Sequence, residues 1–157
     1  MCEFYGIEDP ELRCEMYFTE YENNRVANLL EGLEDKFITI EPHSKTNYTP
    51  NRAYPIEKWQ NIVNSLKEKI QVVQIGNRDA PLLDNVVDYR GLTSFREAAI
   101  LIGKSKLFLS TEGGLVHAAT AVNTKSIVVI TGYQDERMVA YPQNININIS
   151  KHGPLRS

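Results

Sequence analysis

The chain has 157 residues, of which 42% are hydrophobic and 24% charged, and 17 Lys and Arg against 20 Asp and Glu leave a net charge of −3. That length suits one packed domain and is too short for two α/β units, and the composition lies far from the low-hydrophobicity, high-charge corner of disordered chains. A pI near 5.6 without a Lys/Arg run argues against a nucleic-acid or anionic membrane surface, because neutralising phosphates requires a clustered basic face.

No apolar run in the sequence approaches the ~20 residues that a bilayer requires. The N-terminus is acidic, unlike a basic leader, so the expectation is a soluble, cytoplasmic protein with no transmembrane segment. Cys2 and Cys14 form no CxxC motif and no Cys/His cluster, which points to reduced thiols rather than a zinc site or a disulfide framework.

Residues 1–36 are acidic and aromatic, with a turn at Asp9-Pro10, and read as an approach segment containing one helix over 20–33. In that helix Val26, Leu29, Leu30 and Leu33 recur at helical spacing and Gly32 marks the stop. The domain proper is expected over 37–157. It begins with the β-branched run Phe37-Ile38-Thr39-Ile40, which ends in Glu41-Pro42-His43-Ser44, where proline denies further pairing. A helix over 56–70 carries Trp59, Ile62, Val63, Leu66 and Ile70 on one face behind Pro55. A strand over 71–75 closes at Gly76-Asn77, and Val86-Val87 is a further short strand before Arg90-Gly91. Thr93 or Ser94 can cap the next helix, whose stripe is Phe95, Ala98, Ala99, Leu101 and Ile102, with Gly103 as terminator. A strand over 106–109, a small-residue turn over 110–114, a helix over 115–122 and a strand over 126–130 then make a βαβ unit, and 143–149 alternates with period two like an edge strand. This alternation predicts an α/β, Rossmann-like parallel sheet with helices on both faces, binding ligands beyond the carboxyl ends of its strands.

The most informative stretch is Ser110-Thr111-Glu112-Gly113-Gly114-Leu115-Val116-His117. Adjacent glycines at a strand-to-helix turn let the backbone approach a ligand. The helix start offers free N–H groups and about half a positive charge to a phosphate. Glu112 is suited to accept from sugar hydroxyls and His117 to meet the same anion, although a plain tight turn with a core histidine explains the same spacing. The loop from Pro42 to Pro55 holds His43, Ser44, Lys45, Thr46 and Arg52 at the same sheet edge. There Arg can fork onto a diphosphate and Lys act as a point charge, or both are ordinary solvated charges. Gly76-Asn77-Arg78-Asp79 and Gly91-Leu92-Thr93-Ser94 end at that edge as well. Trp59 reads as core. There is no Walker loop, GxGxxG, GxSxG elbow or metal-ligand spacing, and no general base is evident.

Taken together, Arg52-Ala53-Tyr54-Pro55, Trp59, Gly91-Leu92-Thr93-Ser94, Glu112 through Ala119 and Gly132 resemble the C-terminal half of the family-nine glycosyltransferases, the ADP-heptose:lipopolysaccharide heptosyltransferase group. That family runs Asp-Thr/Ser-Gly-x-x-His-x-Ala after a strand and Lys-x-Trp-Pro after the first strand. Here Glu112 stands for the Asp, Gly113 for the Thr/Ser, Gly114 and His117 match, and residues 52–55 stand for Lys-x-Trp-Pro. The resemblance implies one half of a two-domain GT-B fold, the donor-binding half, with an N-terminal acceptor domain supplying the catalytic carboxylate and no metal or cofactor beyond the nucleotide diphosphate sugar. It implies Ser44, Lys45 and Arg52 near the donor phosphates, and Gly113, Gly114 and His117 at the diphosphate. It further implies Glu112 on the sugar hydroxyls, Thr93 beside the base and Asp79 at the ribose.

Two functions of different class follow: donor binding in an inverting, metal-independent glycosyltransferase, with a glycan or lipopolysaccharide-type acceptor, or a non-catalytic nucleotide or nucleotide-sugar module. An NAD-dependent oxidoreductase is the weaker third, lacking GxGxxG after the first strand. His152-Gly153-Pro154 reads as the approach to a further segment.

Overall fold

Four consecutive buried residues, Phe37 to Ile40, place the first strand in the middle of a sheet, because only a strand covered on both faces hides every side chain. In a computed structural model, which describes residue 6 and residues 14–43, 53–132 and 135–152, this strand is β1 (Phe37–Glu41). Around it lie α1 (Glu20–Leu30), α2 (Ile56–Leu66), β2 (Gln71–Gln74), β3 (Val87–Asp88), α3 (Phe95–Lys104) and β4 (Phe108–Thr111). They are followed by α4 (Gly114–Ala121), β5 (Ser126–Ile130), α5 (Glu136–Val139), β6 (Ile145–Asn148) and a 3₁₀ turn (Ile149–His152). The six strands are parallel in the order β3-β2-β1-β4-β5-β6. The chain therefore winds outward from β1 to β3, returns, and winds outward again from β4. The α/β, Rossmann-like expectation holds.

Alternation along the strands divides the core. Phe37, Val73, Phe108 and Val128 pack with α1, α3 and α4, whereas Ile38, Ile40, Val72, Leu109 and Val129 pack with Trp59 and Val63 of α2. Trp59 is 2% exposed and meets the Tyr54 ring edge-on at 5.2 Å, a core residue as its spacing predicts.

The structure settles several boundaries that the sequence left open or placed differently. Helix α1 begins at Glu20 as read but ends at Leu30 rather than Leu33; before it, the Thr19 hydroxyl accepts from the Glu22 N–H (3.2 Å) while Glu22 accepts from the Thr19 N–H (2.8 Å), a reciprocal cap. Within the described part of residues 1–36, Val26 is fully buried, Arg25 pairs with Glu97 at 3.1 Å and Arg96 with Glu22. Ser94, not Thr93, caps α3, accepting from the Glu97 N–H at 3.2 Å. Gly103 lies inside α3 rather than after it, where an added Cβ would make only an ordinary 3.4 Å contact with Val122 Cβ. Strand β4 extends through Ser110 and Thr111, which pair with Glu41 and Val129. On edge strand β6 the polar residues turn inward, Asn146 to the Tyr141 carbonyl (3.0 Å) and Asn148 to Glu136 (2.8 Å).

Among the described residues no helix is long and apolar enough to cross a membrane. None of them forms a His/Cys/Asp/Glu group fit for a metal ion.

Candidate functional site

Strand order reverses between β1 and β4, so the loops leaving these two strands part in opposite directions and open a crevice at their carboxyl ends. A cleft of about 500 Å³ lies there. Glu41 and His43 border it from β1, and Gly76, Asn77, Asp79 and Ala80 from the loop after β2. Thr93, Ser94, Phe95 and Ala98 close the side of α3, and Leu115 that of α4.

The β2 loop is held by its own chemistry. The Asn77 side chain accepts from the Asp79 N–H at 3.1 Å, an Asx turn, and fully buried Gln74 donates to the Pro81 carbonyl and accepts from the Leu83 N–H, both at 2.8 Å. Gly76 is required: its φ is +112°, and an added Cβ would come within 3.3 Å of Glu41 Cγ and Oε1. Glu41 thus lies across the glycine at the floor of the cleft. Burial pushes its carboxyl up to about 8, with the Ser110 hydroxyl opposing the shift; that hydroxyl also donates to the Glu41 backbone carbonyl at 3.1 Å.

Helix α4 begins with Gly113 in extended backbone and no side chain capping its first turn, so its leading N–H groups are open to an anion. Gly114 is exposed, and an added Cβ would sit 3.3 Å from the Phe95 ring. Half-buried His117 has its Nδ1 2.6 Å from the Tyr141 hydroxyl, the two rings edge to face at 5.5 Å, and Cys14 Sγ lies 3.7 Å from the same hydroxyl. Burial first, then the Cys14 contact, pushes the Tyr141 hydroxyl up to about 12. A Tyr141 O–H donating to Nδ1 leaves the His117 proton on Nε2.

Of the residues expected from the sequence, Asp79 and Thr93 line the cleft. Gly113, Gly114 and His117 lie at the start of α4 but are not among the cleft's lining residues; of that helix only Leu115 borders it. Glu112 does not line it: at 1% exposure its two oxygens accept from the Thr131 N–H (2.9 Å) and hydroxyl (3.0 Å). That carboxylate joins the ends of β4 and β5. Ser44, Lys45 and Arg52 lie outside the described residues. Glu41 and Tyr141 were not singled out from the sequence. Glu41 was detectable as the last residue of the strand beside the reversal, whereas the Tyr141 contact joins residues 24 apart and has no local signal.

A parallel sheet in this order with its cleft at the reversal defines a Rossmann-like α/β domain of the GT-B kind, and solved structures share it. The glycosyl transferase family 9 structure from Veillonella parvula DSM 2008 superposes with a TM-score of 0.76 at 12% identity, covering 92% of this chain and 46% of that one. E. coli ADP-heptose LPS heptosyltransferase II gives 0.70 at 20% identity, covering 89% and 46%. E. coli heptosyltransferase WaaC, solved with ADP, gives 0.62 at 16% identity, covering 93% and 47%. The profile of glycosyltransferase family 9 (heptosyltransferase) matches residues 2–156, and the chain belongs to that family. No curated sequence matches it. The chain spans a little under half the length of these three structures.

Proposed function

We propose that this chain is the donor-binding half of a family 9 glycosyltransferase, holding a nucleotide diphosphate sugar of the ADP-heptose kind for transfer to a glycan or lipopolysaccharide-type acceptor. The observation that carries the reading is the cleft at the β1/β4 reversal, next to the uncapped, glycine-led start of α4. There the diphosphate would meet the first-turn N–H groups at Gly113 and Gly114 and the Nε2 proton of His117. Thr93 would lie beside the base and Asp79 at the ribose, with Ser44, Lys45 and Arg52 adding polar and positive groups to the phosphates.

Transfer with inversion requires an acceptor hydroxyl to attack the anomeric carbon as the bond from that carbon to the phosphate oxygen breaks, leaving the electron pair on the diphosphate. Groups that stabilise this growing charge accelerate the step, and a helix start does so without reorganising. The acceptor's proton would pass to a carboxylate of an acceptor-binding domain.

Calorimetric titration with ADP, UDP, GDP and NAD tests the reading. Saturable binding of a nucleoside diphosphate, strengthened when the donor sugar is attached, is the expected result. Binding of NAD alone would favour an oxidoreductase, and a sugar that adds nothing would leave a nucleotide-binding module.

A further inference from the structure

One ionisable side chain on the cleft floor has no part in the reading above. Glu41 ends β1 beside the strand reversal, lies against the bare Cα of Gly76, and lines the same cleft as Leu115 of α4. A carboxylate there would repel a diphosphate at α4, and among the described residues no cation pairs with it. Arg78, the nearest cation in sequence on the β2 loop, packs its stem on Gly91, where a Cβ would be only 2.7 Å from Arg78 Cβ. Among the described residues the other titratable groups bordering the cleft are His43 from the loop after β1 and Asp79 from the β2 loop, and α3 and α4 contribute none.

Building on the donor-binding reading, we propose that Glu41 works as a neutral carboxylic acid that donates a hydrogen bond to a phosphate oxygen of the bound nucleoside diphosphate. Desolvation already holds its proton to about pH 8. A diphosphate anion brought alongside disfavours the carboxylate further, so ligand and proton bind together. The acid therefore selects for an anionic ligand at neutral pH and against it in alkali, as carboxylic acids kept neutral in apolar sites do.

The test is calorimetric titration of the chain with ADP from about pH 6.5 to about pH 9.5, in buffers of different ionisation enthalpy so that proton uptake is read directly. Wild-type affinity should be flat below pH 8 and then fall up to about tenfold per unit, with up to about one proton taken up per ADP in that range. Glu41→Gln keeps a neutral donor, so its affinity at low pH should stay within about threefold of wild type, remain flat across the range and take up no proton there. His43→Gln and Asp79→Asn should keep the break near pH 8 whatever their overall affinity. Wild-type affinity that does not change with pH, or an unchanged break in Glu41→Gln, overturns the role of Glu41 while leaving the donor site standing. Failure of wild type to bind any nucleoside diphosphate at low pH overturns the donor-binding reading, and this role with it. Proton uptake is read on wild type, so the outcome does not depend on how Glu41→Gln folds.

Discussion

His117 Nδ1 and the Tyr141 hydroxyl are 2.6 Å apart, so the imidazole at the start of α4 is steered by the segment between α5 and β6. Removing the hydroxyl frees the ring to rotate and to carry its proton on either nitrogen. Tyr141→Phe should cost about 1 kcal/mol of stability, the worth of one hydrogen bond, and weaken ADP binding by a similar factor to His117→Ala. Imidazole nitrogen NMR shifts check the cause: wild type should show a single tautomer and Tyr141→Phe a mixture. A large loss of thermal stability in His117→Ala with unaltered ADP affinity would make His117 a packing residue alone.

Gly114 is exposed at the first position of α4, where an added Cβ would meet the Phe95 ring among the described residues. Phe95 is 52% exposed and can swing aside, so Gly114→Ala should fold with little loss. Gly114→Asp adds a carboxylate where a phosphate would bind and should weaken ADP binding at least about thirtyfold, or roughly 2 kcal/mol. Equal affinities of the two variants would remove the diphosphate from this helix start.

The Glu112 carboxylate accepts both hydrogen bonds that Thr131 offers. Glu112→Ala leaves a buried backbone N–H unpaired and a cavity, and should cost about 2–4 kcal/mol by denaturant unfolding. Thr131→Val keeps the backbone bond and should cost nearer 1 kcal/mol, roughly the value of the hydroxyl bond alone. If Glu112→Ala left stability intact but lowered donor affinity, the carboxylate would act as a sugar ligand rather than as a tie to Thr131.

Stability should depend on pH in two opposite ways. Hydrogen bonding from Arg96 first, then from the Thr19 backbone, holds the Glu22 carboxyl down from 4.5 to about 2. A lowered folded-state value stabilises above the unfolded value, so this contribution is lost as pH falls from 4.5 towards 2. Glu41 is raised from 4.5 to about 8, so its proton favours the folded state, and that contribution is lost as pH rises through the same interval. Thermal midpoints should therefore decline on both sides of a weakly acidic maximum. Glu22→Gln should flatten the limb below pH 4.5 and Glu41→Gln the limb between pH 4.5 and about 8; an unchanged limb over 4.5–8 in Glu41→Gln would show that this carboxyl is ionised and solvated in the folded protein.

Strand and helix identity was readable in the sequence because it rests on short-range periodicity. The run Phe37 to Ile40, the stripe from Trp59 to Leu66 and the strand over 126–130 each carry their own pattern of burial. The parallel sheet followed from their alternation, and the turn at Gly113-Gly114 from two glycines in succession. The inward turn of Glu112 to Thr131, the extension of β4 to Thr111, the packing of α1 on α3 and the two partners that hold Glu41 and His117 were decided by the tertiary structure. Each joins groups brought together only when the sheet closes, and a side chain's protonation and direction depend on desolvation and on hydrogen-bond partners that no local spacing encodes.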